Sequence, residues 1–181
     1  LLSNLKTREE WVCWTYEVRD GDKTKPPIQA EGGSRYAKTN DPGTWASYGE
    51  AVAYHEREDT DTEGVGLMLS DVGIVAGVDL DGCRHPETGD LEPWAEDIIE
   101  RLDTYFEVSP SGTGVRGFLL GSLPEGRNKQ KQERTLDMPD WVVEEKNAEV
   151  ELYDSVRYMT FTGEHIDGTP TEAQQRGDAL A

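Results

Sequence analysis

Two short apolar runs, residues 65–69 and 74–80, constrain this chain most, because each has the length of a strand and the second leads into Asp79-Leu80-Asp81-Gly82. Apolar runs of that size bounded by turn residues read as buried β-strands. Ser70-Asp71-Val72-Gly73 joins them, so they are expected to form a hairpin with the aspartates at its far end. In an extended segment, residues two apart share a face, which sets the Asp79 and Asp81 backbones roughly 6 to 7 Å apart. Carboxylates so placed repel one another unless a cation lies between them, and hard oxygen donors suit Mg²⁺ or Mn²⁺. The alternative is an ordinary Asp-Gly turn. A calcium-binding EF-hand loop is excluded, since Cys83 and Arg84 stand where an acid and a glycine belong.

Other segments mix helix and strand. Residues 11–18 are rich in β-formers and are followed by Asp20-Gly21, which predicts a hairpin into residues 24–28 with Pro26 and Pro27 at a sheet edge. Ser47 and Glu50 form a capping-box pattern for a helix to about Glu58. Pro93 suits a first helical turn, and Trp94, Ile98 and Leu102 recur on one face to about Asp103. Strands are expected at Tyr105–Val108 and Val115–Leu120, flanking the loop Ser109-Pro110-Ser111-Gly112-Thr113-Gly114. Residues 121–147 have a weak pattern with basic Arg127, Lys129, Lys131 and Arg134, and read as irregular; residues 150–153 and 158–162 read as a last hairpin. The pattern is α+β.

At 181 residues one compact domain is expected, with an N-terminal α/β unit over roughly 1–63, a core over 64–165 and a tail from 166. A first residue Leu1 and the polar end suggest a piece of a longer protein. No apolar run approaches the eighteen or so residues of a membrane span, so a cytoplasmic chain with no membrane partner is expected. Cys13 and Cys83 lack any paired-cysteine spacing, and both are expected to be buried or idle. His55, His85 and His165 show no metal-ligand spacing and read as surface residues.

The formal charge is −19, from 37 acids against 18 bases, which ordinarily opposes a nucleic-acid partner. The acids are spread along the chain rather than gathered in a tail, a pattern that suits a high-salt cytoplasm. At molar ionic strength the screening length falls to about 3 Å, so net charge there barely opposes DNA binding.

Three further patterns carry chemistry. Ser111, Gly112 and Arg116, in and just after the small-residue loop, offer hydroxyl, backbone N–H and guanidinium donors that suit phosphate. Glu149-Val150-Glu151-Leu152-Tyr153 alternates, so either glutamate qualifies as a third acid. Arg157 and Tyr158 add a cation with a ring beside it.

The order of these motifs, D-x-D ending an apolar strand, then S-P-S-G-x-G, then E-L-Y-D followed by R-Y-x-T-x-T-G, resembles the primase-polymerase domains of the archaeo-eukaryotic primase superfamily. Lys23-Thr24-Lys25-Pro26-Pro27, Trp45 and Pro93-Trp94-Ala95 extend the likeness over most of the chain. The nearest branch is plasmid- or virus-borne, often helicase-fused, and the acidic composition suits a haloarchaeal source, with a merely acidic mesophilic protein as the alternative. The resemblance implies an RNA-recognition-motif-like antiparallel sheet packed with the N-terminal α/β unit. It implies template-directed nucleotidyl transfer with two Mg²⁺ or Mn²⁺ ions on Asp79, Asp81 and Glu151, which is chosen over Glu149 on the family pattern. It further implies nucleoside triphosphates held by Ser111, Gly112, Arg116, Arg157, Tyr158 and Lys25, a single-stranded or primed DNA template, and a helicase beyond the C-terminal end. The family's second motif usually ends in histidine where this chain has Arg116, a grip for phosphate but a poor proton donor. A catalytically weak nucleotide- or single-strand-binding module that recruits a helicase is the alternative, and a metal-dependent nuclease a third. Asp79→Asn with Asp81→Asn is expected to abolish incorporation with the fold intact.

Overall fold

The computed structural model describes residues 1–31, 35–70, 74–123, 129–133 and 148–180, of which 129–133 and 179–180 are described as backbone. A short helix, α1 (Ser3–Lys6), precedes β1 (Trp11–Trp14), β2 (Glu17–Arg19), β3 (Asp22–Thr24) and β4 (Pro27–Ile28). The hairpin expected over residues 11–28 is present but interrupted: β1 pairs with β4, while β2 and β3 form a small ribbon at its tip. Asp20 and Gly21 turn that ribbon with φ of 53° and 94°, the left-handed pair an Asp-Gly hairpin turn requires. Next comes α2 (Tyr48–His55), started by the expected box in which Glu50 N–H donates to Ser47 Oγ and Ser47 N–H to Glu50 Oε2. It ends at His55 with Glu56 as its cap, three residues before the sequence pattern predicts.

Beyond α2 lie β5 (Gly64–Leu69), β6 (Val75–Asp81), α3 (Pro93–Leu102), β7 (Tyr105–Val108), β8 (Val115–Leu120), β9 (Lys129–Glu133), β10 (Glu149–Tyr153), β11 (Arg157–Phe161) and β12 (Gln174–Gln175). They divide between two sheets. The first has the order β11-β5-β1-β4, all antiparallel; in the second, β8, β6, β10 and β9 follow in antiparallel order, with β7 antiparallel and β12 parallel on the outer side of β8. Helices and antiparallel sheets together make the chain α+β.

Two expected hairpins are corrected by this topology. Strands β5 and β6 do not pair, since β5 lies between β1 and β11 and β6 between β8 and β10. Every residue of β5 and all of β6 up to Leu80 is buried, so each needs cover on both faces, and an edge-exposed hairpin cannot supply it. Of the turn expected between them, residues 71–73 lie outside the described residues. Likewise β10 and β11 part into different sheets, with only Asp154-Ser155-Val156 between them. Val156 takes the left-handed region at φ 53°, which swings the chain out of one sheet and into the other.

The weak pattern of residues 121–147 nevertheless includes β9, an ordered strand over 129–133; Arg127 and Arg134 lie outside the described residues. The segment expected as a tail is packed: Ala173 is buried, Leu2 N–H donates to Thr171 O at 2.8 Å, and β12 joins the second sheet. Strand pairing also ignores the division near residue 63, because β5 and β11 complete the N-terminal sheet.

Helix α3 lays Trp94, Ala95, Ile99 and Leu102 against Ala76, Val78 and Leu80 of β6. Alternation then turns Val75, Gly77, Asp79 and Asp81 to the opposite face. There the first sheet covers the start of β6: a side chain on Gly77 would overlap Met159 Sδ of β11. Along one face, β6 thus runs from apolar core beneath the first sheet to carboxylates where that cover ends.

Candidate active site

Strand register gathers the acids. Asp79 stands opposite Glu151 and Asp81 opposite Glu149 across β6 and β10, so all four carboxylates share one face. Arg116 of β8 stands opposite Asp79 on the other side, and Glu107 of β7 opposite Arg116. Glu107, Arg116, Asp79 and Glu151 therefore form a row across four adjacent strands, and β9 brings the backbone of Lys131 opposite Glu151. Opposite charges alternate over its first part, as cross-strand neighbours prefer.

The guanidinium of Arg116 forks onto Asp79, Nε to Oδ1 at 3.1 Å and Nη2 to Oδ2 at 3.1 Å, and its Nη1 donates to Thr160 Oγ1 of β11. Both side chains are 12% exposed. Burial works against the Arg116 charge, but the Asp79 carboxylate outweighs it and holds the guanidinium above its ordinary value. Arg116 so ties the two sheets together at the edge of the acid cluster. The Tyr153 hydroxyl donates to Glu151 Oε2, and burial first, then that carboxylate, pushes its ionisation up.

Metal binding has a donor set of the right type, hard carboxylate oxygens on neighbouring strands. Among the described residues, however, no three acids, histidines or cysteines already converge as a metal site. Asp79 has both oxygens on Arg116, so the donors fit a hard divalent cation only once Arg116 gives way.

The S-P-S-G-T-G loop closes over the end of β6. Cys83 and Arg84 N–H both donate to Thr113 O, at 3.0 and 3.1 Å, and Arg84 Nη1 donates to Gly112 O at 2.9 Å. Gly114 is required by contact, since a Cβ there would lie 2.6 Å from Leu80 O. Gly112 is required by conformation, with φ of 77°. Ser111 Oγ bridges Ser109 Oγ at 2.9 Å and Thr113 Oγ1 at 3.1 Å on the exposed side.

Strand β11 sends Arg157 and Tyr158 to opposite faces. Arg157 lies with its guanidinium 5.6 Å from the Tyr153 ring centre, one contact from Glu151. Tyr158 shares its face with Thr160 and donates its hydroxyl to the Lys25 carbonyl oxygen. Register thus brings Asp79, Asp81, Glu151 and Arg116 together, the loop sets Gly114 against Asp81 with Ser111 and Gly112 before it in the loop, Arg157 reaches the acids through Tyr153, and Tyr158 meets Lys25 on the other face of β11.

Sequence reasoning missed Glu107, Thr160 and Arg84. Glu107 had a signal, a lone acid in the apolar strand Tyr105-Phe106-Glu107-Val108. It is fully buried and accepts from Thr162 N–H at 2.9 Å, Gly163 N–H at 3.0 Å and the Tyr105 hydroxyl at 3.0 Å, holding the turn after β11. Burial pushes its carboxyl from 4.5 up to about 7, against the pull of those donors. The folded chain then holds this proton more tightly than the unfolded chain does. Stability should therefore fall by on the order of 3 kcal/mol as pH rises from about 4.5 to 7, and level off above. Glu107→Gln, which cannot ionise, should flatten that slope in denaturant titrations at several pH values. At acid pH it should also lower stability by about 1–3 kcal/mol, because its amide faces a backbone N–H, and this difference should close as pH rises to 7.

The histidines are less exposed than a surface role predicts. His165 stacks on Tyr105 at 5.1 Å, His55 Nδ1 lies 3.0 Å from Thr62 Oγ1, and His85 Nδ1 accepts from Glu87 and Thr88 N–H. Cys13 and Cys83 are buried as expected, and burial pushes both thiols up to about 12. Among the described residues, no helix is long and apolar enough to cross a membrane.

No protein-family model matches the chain. Over 160 residues it is 31% identical to a protein of Nitratiruptor phage NrS-1 described as a DNA primase-polymerase. That stretch is 88% of this chain and 20% of the phage protein, so the chain spans about a fifth of its relative's length.

Proposed function

Taking this homology with part of a phage DNA primase-polymerase as the premise, we propose that the chain is a template-directed nucleotidyltransferase domain acting in plasmid or viral DNA replication. The observation that carries the reading is the in-register pairing of Asp79 with Glu151 and with Arg116 across three strands, at the mouth of the S-P-S-G-T-G loop. In this reading the second sheet with α3 is the RNA-recognition-motif-like core. Asp79, Asp81 and Glu151 would hold Mg²⁺ or Mn²⁺, a pair of ions, which when bound activates a primer 3′-hydroxyl and neutralises charge on the reacting phosphate. Glu149, opposite Asp81, adds negative charge at the edge of the same site.

The chain's own groups do the rest. Arg116 supplies the counter-charge to Asp79 in the resting protein and, on triphosphate entry, exchanges carboxylate oxygens for phosphate oxygens. Its fork suits both partners, while its permanent charge makes it no proton donor. The Ser111 hydroxyl faces the same phosphates, while the Gly112 N–H stays on Ser109 O at 2.9 Å and, with Arg84 and Thr113, keeps the loop in place. Arg157, Tyr158 and Lys25 border the nucleotide from the first sheet.

The partners in this reading are nucleoside triphosphates and a single-stranded or primed DNA template, with a helicase in the rest of the protein. The spread of acids fits a cytoplasm of high salt, so activity should be greater at molar than at low KCl. Incubation with an end-labelled primed template, Mn²⁺ and triphosphates tests the reaction. Longer, template-specified products are expected; shortened products would instead mark a nuclease, and no change of length would leave a binding module. Arg157→Ala should raise the nucleotide KM by about tenfold, the cost of one exposed charge-assisted contact. An unchanged KM would remove Arg157 from the nucleotide site.

A further inference from the structure

A cavity of about 550 Å³ opens where β1, β5 and β11 end, walled by Trp14, Tyr16, Tyr48 and His55 and by Pro110 of the S-P-S-G-T-G loop and Thr162. Thr160 and Phe161 are successive residues on opposite faces of β11, and Phe161 also lines the cavity, so it lies across that strand from the Arg116 contact. Five of its lining residues carry aromatic rings, and Trp14 and Tyr16 meet edge to face at 5.1 Å. Two lysines lie over them, Lys23 Nζ at 3.6 Å from the Tyr16 ring centre and Lys6 Nζ at 4.5 Å from that of Tyr48. In a chain with 18 bases against 37 acids, two cations on the rings of one cavity mark a local exception.

A second observation points to a ligand. Among the described residues, the Trp14 indole Nε1 is the buried side-chain polar atom without a hydrogen-bond partner, and Trp14 is 4% exposed. Such donors are rarely left unpaired unless a further group completes them. Beside it stands Gly64, where a Cβ would come within 2.9 Å of Nε1.

We propose that this cavity takes one unstacked base of single-stranded DNA, the template strand, with the flanking phosphates toward Lys6 and Lys23. This rests on the polymerase reading for the identity of the strand. Flat rings accept any base face, a base carbonyl suits an indole N–H, and the two cations suit the phosphates on either side. The Glu63 carboxylate in the wall repels a phosphate and accepts from a base amine, so the base enters and the backbone stays outside. The triphosphate of an incoming nucleotide has its main donor at Arg116, across β11.

The test compares binding of short fluorescein-labelled single-stranded DNA, by anisotropy, and of a labelled nucleoside triphosphate with Mn²⁺, for the whole chain and its variants. Tyr16→Ala and His55→Ala should each weaken DNA binding about tenfold with triphosphate binding unchanged, and Tyr16→Phe should restore it. DNA affinity unchanged in both alanine variants, or absent in the parent chain, would overturn the site. A loss of triphosphate rather than DNA affinity would also overturn it, by giving the cavity to the incoming nucleotide. DNA binding that depends on Tyr16 in a chain that never incorporates nucleotides would uphold the cavity and sink the polymerase reading instead.

Discussion

Asp81→Asn is expected to lower template-directed incorporation by on the order of 10³-fold or more, the several kcal/mol of transition-state stabilisation a bound metal supplies, with the thermal midpoint within about 2 °C of the parent. Asp81 sits at the open end of β6, beyond the cover of the first sheet, so its charge matters to the site more than to the core. Asp79→Asn should lose as much activity but also destabilise the fold. Its carboxylate is the forked partner of a guanidinium that is only 12% exposed, and removing one member of a buried pair costs about 3–5 kcal/mol. The sequence alone suggests that replacing both aspartates spares the fold; the forked Arg116 contact removes Asp79 from that expectation. Rates from primer extension and midpoints from thermal melting separate the two variants. An Asp81→Asn protein that extends primers at the parent rate would remove this residue from the chemistry.

Arg116→Ala should be the most destabilising single change in the site. It leaves Asp79 without its counter-charge in a half-closed setting and cuts the link to Thr160 that joins the sheets, so a loss of about 3–5 kcal/mol, or roughly 10 °C in midpoint, is expected. Arg116→Lys keeps the charge without the fork and should recover part of it. In a double-mutant cycle, Arg116→Ala with Asp79→Ala should be clearly less destabilised than the sum of the single variants, because no unpaired charge is left. Additive losses measured by denaturant unfolding would show that the two side chains do not act as a pair. Arg116→His tests chemistry as well as stability, since it introduces a proton donor at this position while losing the fork on Asp79.

Local signals in the sequence were faithful where structure is local. The Ser47 and Glu50 box, the Asp20-Gly21 turn, the apolar face of α3 and both strands around the S-P-S-G-T-G loop all depend on neighbours a few residues apart. What could not be read was strand partnership. The short links after β5 and β10 look like hairpin turns, yet both carry the chain between sheets, because strands buried on both faces find partners distant in sequence. The candidate acids were legible for the opposite reason: alternation puts Asp79 with Asp81, and Glu149 with Glu151, on one face whatever the register. That Asp79 faces Glu151, and that Arg116 occupies Asp79, follow only from the pairing. Glu107 stayed hidden because an acid in a strand is usually solvated, and its burial beneath the turn after β11 is a tertiary fact.

Whether this carboxylate row is a divalent-cation site is decided by a Mn²⁺ titration of the chain followed by electron paramagnetic resonance, with and without a nucleoside triphosphate. Binding should strengthen when triphosphate draws Arg116 from Asp79, and should be lost in Asp81→Asn. Mn²⁺ binding equal in the parent and Asp81→Asn proteins, or none in the presence of triphosphate, would rule out a cation site on these carboxylates.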